Sequence, residues 1–272
     1  MAYPKVQLRW KETNPFKWPL SVLFGFVVVI SEIVFTSRAY FLWPVEQSGA
    51  FSIFKNWHSD LGSLAAGFNS VEGALYHNVG LAFQGLALIM FCGGLYIADV
   101  AEGQNRRLFQ IAQLFGLLTG FAFIMAAVYS LDLKADHQFW ASGIFICAIP
   151  FVGFLSYLYS KYPGYKRVIG LYGLAVTLTD ALFAMTFISP LRIVILEYFA
   201  LWGIYSFILL VTLHLFVNEV LEIEIGSFKT SIRAQTPSPE VIASNSKSIA
   251  DAIAAEAISI TNDSPKSSYF EG

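Results

Sequence analysis

Six apolar runs, each close to the length of a membrane-crossing helix, occupy most of this 272-residue chain, at about 18–35, 79–98, 108–129, 139–159, 168–188 and 193–218. A helix rises about 1.5 Å per residue, so roughly 20 such residues cross a hydrocarbon core about 30 Å thick. Inside that core every backbone N–H and C=O must be satisfied without water, which leaves helices or a closed barrel, and unbroken apolar runs of this length read as helices. The first run is expected to be a retained span. A signal-peptide core is only about 7 to 15 residues and ends at a small-residue cleavage site, whereas this run opens with Trp18 and Pro19 and leads into Phe35, Tyr40, Phe41 and Trp43. The expected fold is therefore all-α: a polytopic membrane protein built as a six-transmembrane-helix bundle.

Composition agrees, with 56% hydrophobic and 13% charged residues against about 25% charged in soluble domains. A soluble nucleic-acid binder is excluded on that basis, and no nucleic-acid partner is expected. Orientation is read from the placement of Lys and Arg, which favour cytoplasmic loops. Lys5, Arg9, Lys11 and Lys17 precede the first span, Arg106 and Arg107 follow the second, and Lys161, Lys166 and Arg167 follow the fourth. The intervening loops hold fewer, so both termini are expected to be cytoplasmic. The chain then divides into an N-terminal arm (1–17), a membrane domain (18–220) with an aromatic external loop (36–76), and a Ser-, Ala- and Pro-rich tail (221–272) expected to be largely disordered. Within the tail, Ile242, Ile249, Ile253 and Ile260 are spaced compatibly with one face of a short helix. The membrane is expected to be the plasma membrane or an endomembrane.

Threading this topology gathers the unusual polar residues at one end. His58, Ser59, Asp60, His77 and Asn78 lie in or just after the long loop, Asp132 and His137 in the loop between spans three and four, and Glu32 and Glu197 in the outer parts of spans one and six. Ionisable groups within spans are costly and usually pair or serve a site. Imidazole and carboxylate are the groups zinc takes, commonly as three protein ligands plus a water whose lowered pKa makes it a nucleophile. His58, His77 and His137 are thus candidate metal ligands, with Asp60 and Asp132 as candidate catalytic or orienting groups and zinc as the possible cofactor. Ser59, Asn78, Glu32 and Glu197 complete a structural or binding cluster. The competing reading is a hydrogen-bonded polar cap, since no HExxH and no His pair at i, i+4 is present.

Asp180, inside the fifth span with no charge nearby in sequence, is an intramembrane acid that should face the bundle, neutral or partnered. Cys92 and Cys147 fall at different depths of the threaded topology, so no disulfide is expected between them. A retinal Schiff base would need a lysine within a span, and the sixth has none. Stacked transmembrane haems would need histidine pairs at two depths, and only His214 lies on the inner side.

The chain carries Ser59-Asp60-Leu61-Gly62, then His77-Asn78-Val79-Gly80-Leu81, Gly85, Phe91-Cys92-Gly93-Gly94-Leu95-Tyr96, Gly116 and Gly120, and Asp132 followed by His137. On these, the segment from Ser59 to Pro150 resembles the domain-of-unknown-function family 998, six-helix membrane proteins similar in appearance to the Frag/DRAM/Sfk-like families. The resemblance covers about a third of the chain and the six-helix plan. It singles out Asp60, His77, Asn78, Asp132 and His137. By analogy with a Frag-like factor that remodels the lipid of glycosylphosphatidylinositol anchors, it implies lipid-facing work at the outer or lumenal leaflet. The tail departs from a compact family member. Two functions are expected to compete: a lipid-interacting membrane protein with a structural or headgroup-binding polar cluster, and a metal-dependent lipid hydrolase or lipid-remodelling enzyme. Membrane lipids are the expected partners in both.

Overall fold

The computed structural model describes residues 6–65, 68–95, 105–161, 165–186, 193–225, and the possible tail helix lies outside them. Six long helices are present among these residues: α1 (Leu20–Phe41), α2 (Val71–Gly94), α3 (Arg106–Val128), α4 (Lys134–Ser160), α5 (Tyr165–Thr186) and α6 (Val194–Leu215). All six are long and apolar enough to cross a membrane. The protein is an integral, multi-pass membrane protein of all-α class.

Leu8–Ile223 form one compact unit. A short strand β1 (Val6–Trp10) pairs with another, β2 (Leu221–Ile225). In the main unit each long helix packs on the one before it, and α6 returns to α1, closing the ring. Side chains that face outward are large and apolar, among them Ile30, Phe83, Leu118, Leu178 and Phe199, as a lipid-facing surface requires.

Three helices begin or end beyond their apolar runs, and this moves the site. α2 starts at Val71 because the Ser70 hydroxyl accepts the Gly73 N–H and caps the first turn. His77 and Asn78 therefore stand on the helix, two turns in. α4 starts at Lys134 and carries His137 in its first turn, while α1 runs on to Phe41. The loop between α1 and α2 shortens to residues 42–70 and contains one helical turn (Val45–Ser48) and a 3₁₀ turn (His58–Gly62). Where α2 passes α3, a Cβ on Gly85 would strike the Gly120 carbonyl, and one on Gly120 the Gly85 carbonyl. The two backbones are in contact, the close approach that small residues permit between membrane helices.

Candidate functional site

The loop from 42 to 70 folds over one end of the bundle, hereafter the histidine end, where α1, α3 and α5 finish and α2, α4 and α6 begin. Backbone-directed side chains fasten it there. The Asp60 carboxylate accepts the Trp57 N–H at 2.9 Å within the 3₁₀ turn and bonds the Asn56 side chain. Asn69 donates to the carbonyls of Ala39 and Leu61 at 3.0 and 2.9 Å, and Asn78 donates to the Gly62 carbonyl at 2.9 Å. A Cβ at Gly62 would collide with Asn78 and His77, so only glycine lets the loop lie this close to α2. Asp132 ties the other side: it accepts from the Ser63 hydroxyl at 2.7 Å, the Leu64 N–H at 2.8 Å, the Ala65 N–H at 3.1 Å and the Ser130 hydroxyl at 3.3 Å.

Beneath this clamp lies a buried charged network. The His58 Nε2–H donates to Glu32 Oε1 at 3.2 Å, with both side chains almost wholly buried. Glu32 Oε2 accepts from Gln84 at 2.9 Å, and Gln84 Oε1 accepts from the Tyr205 hydroxyl at 2.7 Å. The backbone N–H of His58 donates to Glu197 Oε2 at 2.6 Å, and the Ser59 backbone bonds the same carboxylate. Burial pulls the His58 imidazole towards neutrality, but the charge and hydrogen bond of Glu32 and the charge of Glu197 together hold its pKa above the ordinary value. Burial pushes the Asp60 carboxyl up, against the opposing pull of its bonds from Trp57 and Asn56.

A cavity of about 30 Å³ adjoins the network. Its polar lining is His58, Ser59, His77, His137 and Glu197, and its apolar walls include Leu81, Phe123, Phe145 and Leu201. The His58 and His77 rings lie 5.0 Å apart between centres. His137 Nδ1 donates to the Tyr129 carbonyl at 2.7 Å and approaches that of Ala126 at 3.2 Å. Two buried imidazole nitrogens, His77 Nδ1 and His137 Nε2, have no partner among the described residues.

The structure thus sorts the candidates that the sequence grouped. His58, His77, His137, Glu197 and Ser59 share the cavity, and Glu32 backs His58 from behind. Asp60, Asp132 and Asn78 serve the loop backbone, and the carboxylates beside the His58 imidazole are Glu32 and Glu197. As the side chains stand, no three His, Cys, Asp or Glu among the described residues are close enough to hold a metal ion. Asp180 is fully buried on α5, and neither carboxyl oxygen has a hydrogen-bond partner among the described residues. His214, buried near the opposite end, accepts from Asn218 at 2.8 Å. Cys92 and Cys147 are both free thiols.

Gln84 and Tyr205 were not singled out by the sequence. Gln84 carried a signal, as a primary amide inside an apolar run; Tyr205 carried none, because tyrosine is ordinary in membrane helices. No protein-family model, no curated protein and no solved structure matches the chain.

Proposed function

We propose that this integral membrane protein is a lipid-interacting protein that meets the polar part of a lipid at its histidine end. The observation that carries this reading is the loop surface. Phe41, Phe54, Leu64 and Val71 stand exposed around a loop whose underside is charged and buried. Large apolar side chains exposed on a clamped loop beside six spans are suited to the headgroup and upper acyl region, where one face of a segment is wet and the other apolar. The resemblance to the family-998 proteins supports the same reading.

A lipid bearing a photoreactive group near its headgroup tests it. In reconstituted bilayers the peptide containing Phe54 should be cross-linked and Phe54→Asp should lower its yield several-fold. A loop that labels no better than the segment around Thr13 would sink the reading. The Lys/Arg bias favours an outer or lumenal position for this end. In sealed cells or organelles an impermeant thiol reagent should then modify Lys55→Cys from the non-cytoplasmic side and leave Thr13→Cys unmodified; the reverse pattern overturns the orientation.

A second reading, a metal-dependent lipid hydrolase, is favoured by a separate observation: three imidazoles and a carboxylate around one small cavity just below the loop. There an ion would activate a water, and Glu197 would serve as general base.

A further inference from the structure

Arg38 and Glu72 form a half-exposed ion pair at the histidine end, where the guanidinium Nη2 donates to Glu72 Oε1 at 3.1 Å. Arg38 stands in the last turn of α1 and Glu72 in the first turn of α2, so the pair heads the seam between these two helices. The guanidinium also covers one face of the Tyr76 ring, 5.4 Å from its centre. Below the pair the seam is apolar. Phe35 lies against the α2 backbone at Gly80, where a Cβ would strike it, and its ring meets those of Tyr76 and Phe83 at 6.4 and 6.2 Å between centres. Val34, one turn below Arg38, stands exposed, as do Val79 and Phe83. Glu72, Tyr76, Val79 and Phe83 follow the i, i+4, i+7, i+11 spacing of one helical face. The rise from Glu72 to Phe83 is roughly 16 Å, close to one leaflet of a hydrocarbon core about 30 Å thick.

We infer that this seam seats one zwitterionic phospholipid bearing a primary ammonium, of the phosphatidylethanolamine class, with its phosphate on Arg38, its ammonium on Glu72 and one acyl chain along Tyr76, Phe35 and Phe83. The inference rests on the lipid reading above and names the lipid and its seat. Hydrogen-bonding capacity fits. A guanidinium offers five N–H donors, and among the described residues only Glu72 engages them, which leaves a planar fork for a phosphate. Glu72 Oε2 has no hydrogen-bond partner among the described residues and is open to an ammonium. Charge then selects the class. The pair sums to zero, so it matches a headgroup with one charge of each sign, and Glu72 opposes the extra negative charge of an anionic lipid. The ammonium must be primary, because choline has no N–H for Glu72 to accept. The ring that could attract a quaternary ammonium, Tyr76, already carries the guanidinium on one face. An exposed ion pair adds little to folding, so sharing it with a lipid costs the bundle little.

The full chain, purified in detergent and freed of lipid, is titrated separately with the dioleoyl forms of phosphatidylethanolamine, phosphatidylcholine and phosphatidylglycerol, and bound lipid is counted by native mass spectrometry. Phosphatidylethanolamine should bind about tenfold more tightly than either of the others, the worth of one charge-assisted hydrogen bond. Arg38→Gln should weaken phosphatidylethanolamine and phosphatidylcholine alike by about tenfold. Glu72→Gln should weaken phosphatidylethanolamine alone and bring it level with phosphatidylcholine. Lys55→Gln, which removes another cation of the same end, should bind as wild type. A phosphatidylethanolamine with a photoreactive group midway along its acyl chain should label the peptide containing Phe83. Helical content and a monodisperse elution profile confirm that each variant is folded. Should a variant fail this check, the wild-type lipid preference and the position of the acyl label decide the matter. Equal affinity for the three lipids, or folded Arg38 and Glu72 variants that keep the wild-type preference, overturns the site. If the headgroup probe still cross-links the Phe54 peptide in that event, the lipid reading stands without this seat; if neither the Phe54 nor the Phe83 peptide is labelled, the lipid reading falls as well.

Discussion

The clamp and the cavity use the same residue types a few ångströms apart and leave them in opposite states. In the clamp, Asp60, Asp132, Asn69 and Asn78 all end on backbone groups of the loop or its neighbours. In the cavity, His77 and His137 each keep one buried nitrogen unpaired. Buried polar atoms in folded proteins are nearly always hydrogen-bonded, so each exception needs an explanation in a ligand, a water or a function. Polar residues that finish their hydrogen bonds within the chain are reading as architecture; those that do not are reading as a site. The distinction separates two roles that the sequence grouped together.

The comparison is most exposed at Glu32, which belongs to the wall between the two regions. Glu32→Ala leaves the His58 imidazole and Gln84, which in turn accepts from Tyr205, without their common acceptor. Breaking a buried pair from one side costs about 3–5 kcal/mol, and the melting temperature in detergent should fall by more than for any clamp variant. If Glu32→Ala melts with wild type, the network is not holding the loop and the division into two regions fails.

Asp132→Ala should come second. It removes the acceptor shared by Ser63, Leu64 and Ala65, at a cost of about 1–3 kcal/mol, reduced by the solvent that reaches this exposed residue. Hydrogen exchange should rise at the Leu64 and Ala65 amides while exchange within α2 and α6 stays as it was. Faster exchange throughout α2 and α6 would show that the clamp and the cavity form one unit.

How much of this was legible beforehand depends on the range of the interaction concerned. The gathering of histidines at one end follows from chain order alone, because helices that run up and down place alternate loops together. The partners did not follow. Asp carries a short side chain that readily bonds local backbone, and Asp60 was captured by Trp57, three residues away, within its own 3₁₀ turn. Asp132 was captured by a loop 67 to 69 residues distant. Glu32 and Glu197, longer and mounted on helices, were left to face His58. Helix starts were also misplaced by hydropathy, since the first turns of α2 and α4 are polar: Ser70, Glu72, Lys134 and Asp136 lie outside any apolar run, yet Ser70 is the cap that lets α2 begin.

The sequence by itself determined the class, the number of spans and the end at which the polar residues collect, because bilayer thickness fixes helix length and chain order fixes which loops are neighbours. Only the tertiary structure decided which carboxylate meets which imidazole and which nitrogens are left unpaired. Those outcomes depend on side-chain reach and on helix packing such as the Gly85–Gly120 contact, where shifts of an ångström exchange one hydrogen-bond partner for another and leave no trace in composition or period.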